Sequence, residues 1–212
     1  DGSGDILGTY LCNEVEKNYG KLTFSFGKHF FPFIDDYCFA KTFGDTIYRI
    51  GYSKPVPEIV LDFGSDRIPD HRKRDVRALV SQLDMGRYAS FVSAEFVADQ
   101  AFITYIDDGS TYYILYDTRT KSSVNIKTIK NDIDDAVFKL PLGATDSELV
   151  FALYPDELLG DGDSGKINLD GEEFLLDISG NPILLFMKIN HLNSYQNEKQ
   201  LSVLDHIHPC TG

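Results

Sequence analysis

The 212-residue chain has no tryptophan, two methionines (Met85 and Met187) and three cysteines (Cys12, Cys38 and Cys210). Three cysteines leave at least one unpaired, and none stands in a CxxC pair. The pattern therefore points to buried or reduced thiols rather than a disulfide framework, and it leaves the redox compartment open. No apolar run approaches the roughly 18 residues of a membrane-spanning helix, so no transmembrane segment is expected. Positive charge is scarce as well: 20 Lys and Arg against 33 Asp and Glu leave a formal charge of −13. The field of such a chain repels phosphate backbones and anionic lipid, which argues against nucleic acid as a partner. GxSxG, HExxH, GxGxxG and Walker motifs are all missing, and no cofactor is implied. Neither a secretory signal nor an initiator methionine opens the sequence. A chain beginning at Asp1 is thus expected to be processed, trimmed or part of a longer product.

What the chain has in quantity is strand formers, with 15 Phe and 12 Tyr. Residues 88–128 read as four consecutive strands, YASFVSAEFV, AFITYID, TYYILYD and SSVNIKT, joined by turns too short for any crossover. The expected turns are Asp99-Gln100, Asp108-Gly109-Ser110 and residues 118–121. A four-stranded meander of this length has the size of one propeller blade. An earlier group, residues 21–64, holds KLTFSFG, HFFPFI, YCFAKTF, TIYRIGY and PEIVLDFG, with Gly44-Asp45 expected as a two-residue hairpin link. Later candidates are AVFKLPL (136–142), ELVFALY (148–154), EEFLLDI (172–178) and NPILLFMKI (181–189), with a Gly/Asp-rich loop at 160–171.

Faces decide between architectures. Tyr37, Phe39 and Phe43 point one way and Cys38, Ala40 and Thr42 the other, without the apolar/polar alternation of a sheet with one wet face. Antiparallel hairpins apolar on both faces need something packed on each side, which stacked blades provide. A two-sheet sandwich should alternate more and ranks second. One helix is expected to interrupt the strands, N-capped by Asp70, with Val76, Leu79, Val80 and Leu83 on one face and Gly86 as its stop. A weaker helical pattern runs through 193–206. At about 40–50 residues per blade the chain supplies three to four blades.

Candidate chemistry is thin. Asp161, Asp163 and Glu172 have the first, third and twelfth spacing of a calcium loop, but Gly165 stands at the fifth ligand position and Lys166 replaces the turn glycine. A mobile, solvated acidic loop is the expectation. His206, His208 and Cys210 alternate as zinc ligands would, yet Pro209 disturbs the geometry and the fourth ligand, with His191 the nearest choice, is unassigned. The acid pairs Asp35-Asp36, Asp107-Asp108 and Asp134-Asp135 are adjacent in sequence, so within a strand they point to opposite faces and form no catalytic couple. A couple would need acids from two different blades. Arg67, His71, Arg72, Lys73, Arg74 and Arg77 form the one basic concentration. They read as a solvated helix face paired to Asp66, Asp70 and Asp75 rather than a dock for an acidic partner or anionic glycan. The tyrosines of 111–116 could stack on sugars, although two-sided packing accounts for them. Asp62-Phe63-Gly64 mimics a kinase metal-binding tripeptide with none of its companions.

GDTIYRI (44–50), PEIVLDFG (57–64), KNDIDD (130–135), LVFALYPDELL (149–159) and NPILLFMKI (181–189) together resemble the six-bladed β-propeller family of Bacteroidetes-type bacteria. Those proteins are similar to NHL-repeat propellers and are usually made as lipoproteins with a lipidated N-terminal cysteine. The resemblance covers roughly residues 42–189 and implies an all-β fold, further blades before Asp1 and an envelope location, but no site residues. The domain reading is residues 1–189 as blades and 190–212 as a C-terminal extension. The function it implies is a non-catalytic binding or scaffold module of the cell envelope, engaging a glycan, peptide or protein. The second reading is a glycan-directed hydrolase or lyase with acids at the channel. The third is a structural role in self-association, because an incomplete ring exposes blade edges.

Overall fold

The computed structural model describes residues 29–189 apart from 34–35, 52–53, 76–77, 80–86, 128, 130–139, 160–163, 170–171, 178 and 181. The strand expected at 21–27, the weak helical pattern at 193–206, most of the strand at 136–142 and Cys12 and Cys210 lie outside the described residues. Among the described residues, thirteen strands fall into three antiparallel sheets and one two-stranded hairpin.

Sheet I is the meander β1 (Phe30–Phe33), β2 (Asp36–Ala40), β3 (Thr46–Ile50) and β4 (Val56–Val60), paired in that order. Its prolines follow the ladder rule: Pro32 and Pro57 sit on the two edge strands, where a missing N–H costs no interior bond. The β2–β3 connection is longer than the expected Gly44-Asp45 pair. It runs over residues 41–45, with Phe43 at φ 60° and Gly44 N–H donating to the Lys41 carbonyl at 2.9 Å. A Cβ on Gly44 would lie 2.9 Å from that same carbonyl oxygen, so this position needs glycine.

Sheet II is the meander β5 (Ser90–Val97), β6 (Gln100–Asp107), β7 (Ser110–Asp117) and β8 (Ser123–Ile126). This is the four-strand unit expected from residues 88–128. Its β6–β7 turn is Asp108-Gly109 with both φ angles positive (46° and 67°), the requirement of a two-residue hairpin turn matched to strand twist. Along β6, Gln100 to Tyr105 are all buried, so both faces of this strand are covered. Sheet III joins β9 (Gly143–Ala144), β10 (Glu148–Leu153) and β13 (Ile183–Lys188) in the order β13-β10-β9. Between β10 and β13 the chain makes a short helix, α1 (Pro155–Leu159), and the hairpin β11 (Ser164–Leu169) and β12 (Glu172–Asp177). Proline at the first helical position followed by Asp156 and Glu157 is a favourable start for α1.

By contacts the chain divides into two compact units. Among the described residues, one comprises those up to Ala94 together with Ile103–Tyr112, and the other Glu95–Phe102 together with those from Tyr113 onward. The first buries Phe31, Cys38, Ile47, Ile59 and Leu79, with Phe31 edge-on to Phe91 at 5.9 Å between centroids. The second has its core in Val97, Phe102, Tyr113, Leu115, Leu149 and Phe151, against which Leu185 and Met187 pack. Burying each such side chain contributes about 1.5–3 kcal/mol.

The helix expected from Asp70 starts later. Residues 70–74 form turns, and the Asp75 carboxylate accepts the Ala78 N–H at 3.1 Å while its carbonyl accepts the Leu79 N–H at 2.9 Å. Asp75 is therefore the N-cap, because a cap carboxylate satisfies a first-turn N–H that Asp70 is too far upstream to reach.

Candidate functional site

Two acids that are distant in sequence come within electrostatic range of each other near an aromatic group at the β6–β7 end of sheet II. The first comes from the chain leaving sheet I. There Asp62 Oδ1 accepts the Gly64 N–H at 2.9 Å, and Gly64 at φ 54° starts the single 3₁₀ turn Gly64–Asp66. Asp62-Phe63-Gly64 is thus a turn device, with the carboxylate folded onto its own backbone. The Asp66 carbonyl then accepts the Ala89 N–H at 2.8 Å, which fixes the turn to the start of β5.

The second acid is Asp107, the last residue of β6, which is half-buried. Burial raises its pKa above the ordinary carboxylate range, the charge of Asp66 pushes it further, and Asp108 adds to this in spite of a backbone N–H that pulls the other way. Tyr105, two residues earlier on the same face, stacks on Tyr112 of β7 (5.5 Å between centroids, 22° between planes). Phe63 also lies 5.5 Å from Tyr105, with the rings tilted by 43°. Burial, then Asp107 and Tyr112, push the Tyr105 hydroxyl up to about 12, so it remains a neutral donor. Phe63 and Tyr112 are partly exposed while Tyr105 is buried. The group can therefore present aromatic surface next to two carboxylates, one of them with a raised pKa.

Sequence reading had Asp107 only as part of an adjacent acid pair and did not connect it with Asp66. Phe63 was visible only as a strand end, and Tyr112 as one of the 111–116 tyrosines that could stack on sugars but for which packing was the expectation. The remaining tyrosines behave as packing: Tyr113 and Tyr116 are buried, and Tyr113 lies 5.3 Å from Phe102.

The other candidates disperse. The described half of the expected acidic loop at 160–171 is a strand, since Ser164–Leu169 pairs residue by residue with Glu172–Asp177. An extended, paired segment cannot curl around an ion as a calcium loop does, because its backbone is committed to the ladder. Lys166 instead donates to Glu173 at 2.7 Å. Asp161, Asp163, His191, His206, His208, Cys210, Asp35, Asp134, Asp135 and Arg77 lie outside the described residues. Among the described residues, no three His, Cys, Asp or Glu side chains are grouped to hold a metal ion.

The basic segment is tied down. Arg67 Nε is ion-paired with Asp45, a half-buried carboxylate that also accepts the Thr46 hydroxyl at 3.1 Å. Burial alone would raise the Asp45 pKa, but Arg67, Lys73 and Thr46 outweigh it and hold it low. Asp70 receives Lys73 at 3.1 Å and Arg67 at 3.7 Å. Local pairing was expected through Asp66, Asp70 and Asp75. Asp70 takes that part, Asp75 caps a helix, and Asp45, brought from the β2–β3 connection, is the partner that sequence distance concealed.

A family model described as "6-bladed beta-propeller" matches residues 5–152. The chain belongs to this six-bladed β-propeller family. The match begins upstream of the stretch whose motifs carried the resemblance and ends within β10. In fold, this propeller chain is similar to a solved Bacteroides fragilis NCTC 9343 protein designated "Putative exported protein", at 20% identity and a TM-score of 0.52. The similarity covers 64% of this chain and 41% of that one, so the chain spans about two fifths of the solved protein's length. At that identity the likeness speaks to fold alone. No curated protein matches the chain. None of the described helices is long and apolar enough to cross a membrane.

Proposed function

We propose that this propeller chain is a glycan-binding module of the bacterial cell envelope, acting through Phe63, Tyr112 and the carboxylates of Asp66 and Asp107. The observation that carries the reading is the aromatic group of Phe63, Tyr105 and Tyr112 with two acids at its margin. Sugars present C–H faces that pack on aromatic rings and hydroxyls that donate to carboxylates, and this group offers both. The export assignment carried by the Bacteroides protein supports an envelope address, with attachment through a lipidated cysteine as in NHL-like lipoproteins. Residues 1–189 form blades in this reading, and 190–212 are an extension outside them. A fold that hosts many activities is no guide to ligand, so the site itself has to be tested.

Calorimetric titration with a panel of neutral envelope and plant-type oligosaccharides is the direct experiment. At least one should bind, and Tyr112→Ala should weaken it by about tenfold, the equivalent of ~1.4 kcal/mol of lost stacking. If no oligosaccharide binds, or if the variant binds as well as the parent, the reading fails.

The raised pKa of Asp107 beside Asp66 favours a second reading, a glycan hydrolase or lyase with Asp107 as general acid. Release of reducing ends or unsaturated sugars that disappears in Asp107→Asn would establish it, and binding without turnover would remove it.

A further inference from the structure

The acids beside the aromatic group lack a counter-charge. Phe63, Asp66, Tyr105, Asp107, Asp108 and Tyr112 all belong to one compact unit. Elsewhere in that unit acids hold a cation: Asp45 has Arg67, Asp70 has Lys73 at 3.1 Å, and Glu58 has Arg49 at 3.5 Å. Among the described residues, no lysine or arginine pairs with Asp66, Asp107 or Asp108. The Asp66 carboxylate accepts the Ser65 hydroxyl at 3.3 Å, a neutral donor that leaves its charge in place. Asp108 is exposed in the β6–β7 turn at φ 46°, next to the half-buried Asp107. The groups acting on Asp107 besides burial are the Asp66 charge and the N–H and charge of Asp108, with no cation among them. Its pKa is raised, the direction expected of a carboxylate that is partly desolvated and unpaired.

A ligand lying on the rings would displace the water that screens these charges. Under a neutral ligand the repulsion among the three acids then grows, because Coulomb interactions strengthen as the local dielectric falls. A ligand cation reverses the sign of that effect. The same cation is attracted to the face of a tyrosine or phenylalanine within about 6 Å, and Phe63 and Tyr112 are the partly exposed members of the aromatic group. We propose that the ligand of this site is an amino sugar, a hexosamine unit with a free protonated amine, its ammonium placed among Asp66, Asp107 and Asp108 and its ring on Tyr112 and Phe63. This rests on the glycan-binding reading and narrows it to one class of sugar. The formal charge of −13 on the chain adds a long-range attraction for such a ligand. An N-acetylated hexosamine keeps the ring and its hydroxyls but replaces the ammonium by a neutral amide, so it lacks the ionic contribution.

Calorimetric titration of the protein near pH 6, where a free amine is protonated, compares the β-1,4-linked glucosamine tetrasaccharide with its fully N-acetylated counterpart. The free amine should bind about tenfold tighter at low salt, and the ratio should shrink as salt is raised toward about 0.5 M. Asp66→Asn and Asp107→Asn, each alone, should narrow the ratio to within about threefold. Asp108→Asn, a residue type that tolerates positive φ, should narrow it as well. N-acetylated binding as tight as that of the amine overturns the proposal and leaves the glycan reading standing. So does a preference for the amine that all three variants keep, because the cation would then sit elsewhere. If neither tetrasaccharide binds while a neutral oligosaccharide of the panel does, the amino-sugar assignment falls alone. If no sugar binds, the glycan reading falls and this inference with it. A hexalysine peptide that displaces the glucosamine tetrasaccharide at lower concentration, and that the variants weaken, would make the site a peptide site and overturn the sugar assignment.

Discussion

Asp117 offers the sharpest test of how sheet II holds its last turn. Its side chain is buried at the end of β7, and Oδ1 accepts the backbone N–H groups of Arg119 (2.9 Å) and Thr120 (2.8 Å). The same turn is closed by Lys121 N–H to the Asp117 carbonyl and Asp117 N–H to the Ser122 carbonyl, both at 2.8 Å. Burial alone would raise the pKa of Asp117, but the Thr120 and Arg119 donors outweigh it and hold the carboxyl below its usual range. Removing the carboxylate in Asp117→Ala leaves two N–H groups without their acceptor. Hydrogen bonds to a charged group contribute about 1.5–3 kcal/mol each. Arg119 and Thr120 are exposed, so water recovers part of the loss, and a total of about 2 kcal/mol is expected. Asp117→Asn keeps a neutral acceptor and should cost about half as much. The sign with pH follows from the depressed folded pKa. The contribution is present above the unfolded value near 3.9 and is lost as pH falls through the lower folded value. Urea unfolding followed by tyrosine fluorescence, at pH 7 and at points down to pH 2.5, measures all three proteins. An alanine variant within 0.5 kcal/mol of the parent at pH 7 would refute the reasoning. So would an asparagine deficit that fails to narrow in acid.

Ala98 begins the β5–β6 turn at φ 49°, a conformation that costs alanine about 1–2 kcal/mol. Ala98→Gly removes that strain and loses about 0.5–1 kcal/mol to unfolded-chain entropy, so the variant should be more stable by about 0.5–1 kcal/mol in a urea melt. Cys38 is fully buried, and burial above all, with Glu58 and Asp36 adding and Arg49 opposing, pushes its thiol up to about 12. In the native state it should resist thiol-specific alkylation at pH 8 and become reactive only with denaturant; rapid native labelling would contradict the burial. Asp107, with its pKa raised, contributes stability present below the unfolded value and lost as pH rises through the folded one. Asp107→Asn should therefore be at least as stable as the parent at pH 7, with the advantage gone near pH 3, as judged by thermal melts across that range.

Local signals carried the meanders and failed where pairing was long-range. The β6–β7 hairpin was legible because Asp108-Gly109 states its turn type outright, whereas the β5–β6 turn sits at Ala98-Asp99, one residue ahead of expectation, because alanine gives no turn signal. SGKINL became β11 although Gly165, Asp163 and Asp170 suggested a loop; its partner EEFLLD supplies the ladder that composition could not announce. Pro155 with two acids behind it was a readable helix start, obscured by the strand that precedes it. At the candidate site, Phe63, Asp66, Tyr105, Asp107 and Tyr112 come from three chain segments. Only the 3₁₀ turn and the bond from Ala89 to Asp66 bring the first two to the others. No sequence spacing encodes such a meeting. Tyr37 and Phe39 do lie on one face of sheet I and Cys38 and Ala40 on the other, as expected. Phe43, grouped with the tyrosine side, instead sits in the β2–β3 connection at φ 60° and is buried, while Tyr37 is 60% exposed.

Charge narrows what the candidate site can hold. Two side chains of the basic segment, the one concentration of positive charge in an acidic chain, are paired internally: Arg67 with Asp45 and Asp70, Lys73 with Asp70. Near the aromatic group, Asp66 and Asp108 both act on Asp107 as like charges. An anionic glycan would meet like charge at short range, in surroundings dry enough to raise the pKa of Asp107. A neutral or amino-bearing sugar meets only acceptors and ring faces. Within a glycan-binding reading, the clustered acids Asp66, Asp107 and Asp108 are thus what tilts the site away from acidic polysaccharides.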